Sequence, residues 1–156
     1  MTMPDGSTMA PGSPGTAPSE AAKMICTAET RDNMATVLSV VPDPKPVSTW
    51  KGGTYTCTYR IPTGVIVLSV HESADAPAAA AYTTGLRPGL TGAKDLKGLT
   101  DIAFGTADGV VVMQKDNDTL RVDLTRAGSG SDRVHTKRAD YAYGIAAVIL
   151  GCWTGD

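Results

Sequence analysis

The sequence predicts an α+β domain built on a five-stranded antiparallel sheet, in the order α-β-β-α-β-β-β-α, with the helices covering one face. Three observations carry this expectation. Residues 54–61 alternate between polar and apolar side chains, and an apolar run returns after Pro62-Thr63-Gly64, which together read as a hairpin. Residues 96–125 hold three further strand-like runs separated by Ala107-Asp108-Gly109 and Asp116-Asn117-Asp118. Helical periodicity lies before, between and after these blocks. All strand links but one are short turns, so the sheet should be antiparallel.

Taken in order, residues 1–18 (MTMPDGSTMAPGSPGTAP) are rich in Pro, Gly, Ser and Thr, with little apolar content beyond Met. Such a segment cannot bury enough surface to offset its ordering entropy, so it is expected to be a flexible tether ahead of one domain over 19–156. Ser19 is a good N-cap, with Glu20 favourably placed in the first turn. The first helix runs from 20 to about 40, or breaks near Cys26-Thr27 and restarts with Thr27 as a second cap. Met34, Val37, Leu38 and Val41 have helical spacing and are expected to face the sheet. Pro42, Pro44 and Pro46 then end the helix and make an extended connection. Trp50 followed by Lys51-Gly52-Gly53 leads into the hairpin.

In the hairpin, Tyr55, Cys57, Tyr59 and Ile61 fall on one face, and Thr54, Thr56, Thr58 and Arg60 on the other. The return strand, 65–70, is apolar on both faces, which predicts a central position. Asp75 is an N-cap for a helix over 76 to about 86, with Pro77 in the first turn, where Pro is tolerated. The meander follows at 101–105, 110–115 and 119–125. In its last strand Leu120, Val122 and Leu124 alternate with Arg121, Asp123 and Thr125. Gly128-Ser129-Gly130-Ser131 reads as a loop tip. A final helix is predicted from about 137 to 151, with Ala142, Ile145, Ala146, Ile149 and Cys152 on one buried stripe.

Composition excludes several function classes. The net charge is −2, with acids and bases interspersed. No basic run exceeds two residues, so the chain lacks the electrostatic footprint of a nucleic-acid binder. The longest apolar run, 145–150, is far too short to span a bilayer. No signal-peptide pattern is read at the start, so the sequence by itself reads as cytoplasmic, or as a chain from which an export signal was removed. The three cysteines, Cys26, Cys57 and Cys152, show no CxxC and no His at metal spacing, which argues against zinc. Three single-bridge pairings are open, a Cys57–Cys152 bridge among them. Three buried thiols would be the alternative in a reducing compartment.

Two sets of short motifs carry a resemblance. Cys26-Thr27-Ala28-Glu29 opens the first helix, and Cys57-Thr58-Tyr59 lies in the first strand. Gly98-Leu99-Thr100-Asp101-Ile102-Ala103-Phe104 precedes a glycine-turned strand pair, and an alanine-rich last helix follows. In this element order, over 19–155, the chain resembles small, mostly actinobacterial cell-envelope lipoproteins of unknown function with a PsbP-like α/β sandwich. The resemblance implies a lipid-anchored domain at the cell surface, outside the membrane, with a Cys26–Cys57 bridge and no assigned reaction. Two features depart from that pattern: no lipobox cysteine or export signal is read, and Cys152 is additional to the pair.

No catalytic constellation stands out, so no catalytic residues are assigned. There is no GxSxG, and Cys152 on an apolar stripe would be an inert thiol. Asp116 and Asp118 favour their own turn and supply too few ligands for a calcium loop. Asp5-Gly6-Ser7 and Gly52-Gly53 lack the lysine and helix of a phosphate loop. His71 and Glu72 end the second hairpin strand and form a candidate ligand face beside the Thr-rich row, although a plain surface histidine is the simpler reading of His71. His135 lies in a distant charged loop. Met1, Met3 and Met9 are soft thioethers suited to Cu(I), though without adjacent histidines. The sequence therefore points to a non-catalytic extracytoplasmic binding domain for a partner protein or small ligand, without a cofactor. The alternative is a copper-binding accessory protein using the methionine-rich head.

Overall fold

The computed structural model describes residues 17–127 and 138–154. It shows an α+β fold in which an antiparallel sheet carries, among the described residues, four α-helices. The sheet has seven strands rather than five: β1 (Val47–Lys51), β2 (Thr54–Ile61), β3 (Gly64–Glu72), β4 (Lys94–Asp95), β5 (Ile102–Gly105), β6 (Val110–Lys115) and β7 (Asp118–Asp123). Their order across the sheet is β1-β2-β3-β7-β6-β5-β4. The α-helices are α1 (Glu20–Lys23), α2 (Ala28–Leu38), α3 (Ala76–Leu86) and α4 (Arg138–Thr154). The element order thus also differs from the predicted one. It gains β1 before the hairpin and β4 before the meander, and the first helix is split.

That split follows the second of the two predicted courses. Ser19 caps α1 by accepting from the Ala22 amide, and one 3-10 turn (Met24–Cys26) intervenes. Thr27 then caps α2, its hydroxyl accepting from the Thr30 amide. Ser39, in the left-handed region at φ 60°, ends α2. Met34 and Leu38 are therefore buried, whereas Val41 lies beyond the helix and is 67% exposed, against expectation.

The two missed strands have separate causes. Gly52 and Gly53 do not merely lead into the hairpin. With φ of 59° and 80° they form a tight two-residue turn, and Lys51 pairs with Thr54 across it. β4 has only two residues, too few to show any alternation.

The hairpin itself closes on Pro62-Thr63, with Ile61 opposite Gly64. The backbone at 126–127 crosses there, Val65 N–H donating to Arg126 O at 2.9 Å. A Cβ on Gly64 would lie 2.2 Å from that oxygen, so only glycine fits. β3 sits between β2 and β7, inside the sheet as its apolar faces require.

Alternation divides the sheet into two faces. One carries Cys57, Tyr59, Ile66, Leu68, Val70, Val111, Met113, Leu120 and Val122, all buried against Ala22, Ile25, Met34, Leu38 and the α4 stripe Ala142, Ile145, Ala146 and Ile149. Trp153 at the end of α4 donates from Nε1 to Ala21 O at 2.8 Å, tying α4 to α1. The helices do not all cover this face. α3 lies on the opposite one, over β5, β6 and β7. Asp75 caps α3 by accepting from Ala78 N–H, and Pro77 occupies its first turn. On that side Phe104, Val110 and Val112 form a second small core with Leu86 and Leu90. Thr83 and Thr119, both buried, satisfy each other through their hydroxyls at 2.8 Å.

The predicted tether residues 1–16, the loop tip Gly128-Ser129-Gly130-Ser131 and His135 lie outside the described residues. None of the described helices is long and apolar enough to cross a membrane.

Candidate functional site

The cysteines fix one end of the sheet. Cys26, at the close of the 3-10 turn, is bonded to Cys57 in β2, with Cα atoms 5.7 Å apart and a sequence separation of 31. Two residues further along β2, on the same face, the buried Tyr59 hydroxyl donates to Ile25 O at 2.8 Å. Burial holds the Tyr59 phenol far above its ordinary pKa, so it remains a neutral donor. Cys152 is the unpaired thiol. It is only half-buried, not in the core beside Cys57. The predicted stripe continues to Ile149 but loses its cover in the last turn of α4. Burial, with a smaller contribution from Glu29, raises the Cys152 pKa and keeps it a thiol.

His71 and Glu72 do not form one site. Neighbours in a strand point to opposite faces, and here they do. His71 stacks on Tyr82 of α3, with ring centroids 3.7 Å apart and planes 7° from parallel, and shares a 2.8 Å hydrogen bond between Nδ1 and Thr54 Oγ1. Burial lowers its pKa against the opposing pull of Glu72, favouring the neutral ring. Glu72, on the core side, accepts from Ser19 N–H at 2.8 Å and so positions the start of α1. Its cross-strand partner is Asp118. Burial, then Glu72 and Asp116, push the Asp118 carboxyl up to about 6. Among the described residues no group of three or more His, Cys, Asp and Glu could hold a metal. Met1, Met3 and Met9 lie outside the described residues.

The surface with unspent binding capacity lies at the other half of the sheet. α3 packs over β5, β6 and β7 and reaches β3 through Tyr82 on His71, so among the described residues no helix packs broadly over the outer face of β1 and β2. It presents Thr49 opposite Thr56, and Thr56 opposite Ser69, in one cross-strand row. Thr54 and Thr58 flank that row on β2, and Val47 is 64% exposed.

The sheet ends at β1, with no further strand paired to it among the described residues. The tight turn makes Lys51–Thr54 a hydrogen-bonded pair. Alternation then turns the backbone N–H and C=O of Trp50 and Ser48 outward, away from β2. Four consecutive uncharged residues, Val47, Ser48, Thr49 and Trp50, line this edge. Natural edges are commonly blunted by a central charge or proline. Here Pro46 and Lys51 stand only at the two ends.

Two cavities accompany these features. One of about 380 Å³ lies at the end of α3, with Arg87, Asp95, Lys97 and Asp101 around Phe104. Its charges largely answer each other. Arg87 pairs with Asp95, donates to Ala93 O and rests over the Phe104 ring at 5.2 Å. The second, of about 200 Å³, lies beside the disulfide, between Cys26, Thr27, Ala28, Arg31, Pro44, Pro46 and Tyr59. Among the described residues Arg31 is the one charged residue in its wall. Nη2 of Arg31 contacts Asp32 at 3.3 Å, while its Nε is fully buried and has no hydrogen-bond partner.

No family model, curated protein or solved structure matches the chain.

Sequence reasoning passed over both features of the β1 end. The Gly52-Gly53 turn was the available signal for the edge strand. Arg31 had none: an arginine in a helix's first turns is ordinary, and only the fold brings it against Pro44 and Pro46.

Proposed function

We propose that the protein is a non-catalytic extracytoplasmic binding domain, lipid-anchored at the cell surface in its full-length form, which engages a partner protein by accepting an extended segment of it as an added strand on β1. The Cys26–Cys57 disulfide supports an oxidising compartment. The resemblance to envelope lipoproteins supports the anchor. One observation carries the binding mode: among the described residues the sheet stops at β1, whose run Val47–Trp50 is uncharged and whose Ser48 and Trp50 backbone groups face outward, beside an outer face of β1 and β2 that no helix covers broadly. An edge of this kind offers main-chain hydrogen bonds to any extended chain, with side-chain rows on both faces for specificity. Trp50, half-buried on the core side, and exposed Val47 on the outer side are the natural anchors.

The test is amide hydrogen exchange of the intact chain, with and without peptides selected from a random display library. Binding should slow exchange at Ser48 and Trp50 more than at the α3 amides. Selected peptides that protect α3 or the Arg87 cavity and leave β1 unchanged would remove the reading.

A further inference from the structure

The cavity beside the disulfide adjoins the free edge. Pro46 is both a wall of that cavity and the residue before Val47, where β1 begins. The register β1 keeps with β2, Val47 opposite Thr58, carries one step further to bring Pro46 level with Tyr59, which is also in the wall. A strand added antiparallel to β1 runs from the Lys51 end towards Val47. Its carboxy-terminal end therefore arrives at this cavity.

The cavity is built to receive a negative group. Among the described residues its one charged wall residue is Arg31, whose Nε is closed off but whose side chain is 24% exposed and keeps terminal N–H donors beyond the single 3.3 Å contact to Asp32. Guanidinium suits carboxylate in particular, with planar, directed N–H groups. Pro44, Pro46, Tyr59 and Cys26 stand in the same wall and lend it apolar surface beside the guanidinium. A volume of about 200 Å³ admits one terminal residue rather than a folded element.

We infer that the added strand is the carboxy-terminal segment of the partner, its terminal carboxylate bound by Arg31 in the cavity at the start of β1. This deepens the strand-addition reading and rests on it.

The experiment uses the full chain and hexapeptides from a library displayed with a free carboxy terminus, each synthesised as the acid and as the carboxy-terminal amide. Affinities are measured by titration calorimetry against wild type, Arg31→Gln and Ser48→Pro. Ser48→Pro removes one outward N–H without touching the β1–β2 bonds, as an edge strand tolerates. Thermal melts establish that both variants fold, and Arg31→Lys gives a second cationic comparison. Wild type should bind the acid at least tenfold more tightly than the amide. Arg31→Gln should bring the acid down to the amide's affinity, Arg31→Lys should restore part of the difference, and Ser48→Pro should weaken both forms. Equal acid and amide affinities that still fall with Ser48→Pro would overturn the carboxylate site and leave strand addition standing. Peptides indifferent to Ser48→Pro, or a library yielding no binder, would overturn strand addition itself. Sedimentation showing a dimer that Ser48→Pro dissociates would assign the edge to a second copy of the chain and overturn both.

Discussion

Removing the Cys26–Cys57 bridge tests the organisation of the fold most directly. The perturbation is the double substitution Cys26→Ser with Cys57→Ala, made in a Cys152→Ala background so that no thiol can exchange. The bond joins positions 31 apart, and by the chain-entropy relation a loop of that length stabilises the native state by about 3.7 kcal/mol at 25 °C. Cys57 is fully buried, so loss of its sulfur leaves a small void that adds to this. Against that, the Tyr59–Ile25 hydrogen bond survives and keeps the Cys26 segment near β2. The expected loss is therefore about 3–5 kcal/mol, a large share of the 5–15 typical of a domain. Urea unfolding followed by tryptophan fluorescence measures it, since the Trp153 indole is hydrogen-bonded across to α1 and reports the native packing. The m-value should rise slightly as the unfolded chain loses its cross-link. A loss below about 1 kcal/mol would refute the reasoning, because it falls far short of the roughly 3.7 kcal/mol that the chain-entropy relation gives for this span. Three titratable thiols in native protein purified without reductant would refute it sooner.

Further outcomes follow from the same packing. Tyr59→Phe should cost about 1–3 kcal/mol, by leaving the buried Ile25 carbonyl without its donor, and should speed reduction of the disulfide by dithiothreitol. Asp118→Asn should stabilise. The folded pKa of about 6 lies above the ordinary 3.8, so the native state binds the extra proton and wild-type stability falls as pH rises from about 4 to 6. Above that window the variant should be ahead by about 1–2 kcal/mol, after discounting a two-unit shift for solvent screening, and below pH 4 the advantage should vanish. Melting temperatures of both proteins from pH 4 to 8 decide this, and parallel curves would contradict it. Ile149→Ala should cost about 2–5 kcal/mol in urea as a core truncation, and a cost under 1 would mean that α4 packs differently.

Much of the fold was legible because its signals are local and periodic. Cys57, Tyr59 and Ile61 alternate with Thr56, Thr58 and Arg60, and a period of two leaves no other arrangement for β2. Asp75 and Pro77 marked the start of α3, and Thr27 marked the restart at α2. The failures have equally local causes. β1 has one anchor, Trp50, in an otherwise mixed run, so its identity depends on the pairing that Gly52-Gly53 imposes. The stripe of α2 was carried to Val41 because a left-handed Ser39 has no signature as clear as glycine. α3 is nearly all small residues, so its sequence does not declare which sheet face it will meet. Tyr82 and Thr83 decide this through His71 and Thr119, contacts far apart along the chain. The candidate site was less legible still. His71 and Glu72 are adjacent in a strand, which already separates them by period two, while Arg31, Pro46 and Tyr59 meet only through the tertiary fold.

The disulfide and the free edge are parts of one arrangement. Among the described residues β1 pairs with β2 alone, so its position is only as fixed as β2. β2 is held on its core side by the Cys57 bond and the Tyr59 hydrogen bond, both of which reach the Met24–Cys26 turn that opens α2. The same two side chains bring α2, and with it Arg31, against Pro44 and Pro46. An added strand thus meets an edge and a cationic pocket that are already aligned, and binding need not bear the entropy of ordering them. A cross-link placed merely for stability would serve anywhere in the core. Placed here, it should also govern affinity: the bridge-free variant, at temperatures where it remains folded, should bind the free-acid peptides more weakly than wild type, with the larger share of the loss in the difference between acid and amide. Equal affinity in the folded bridge-free protein would separate the two features and leave the disulfide a stabilising role alone.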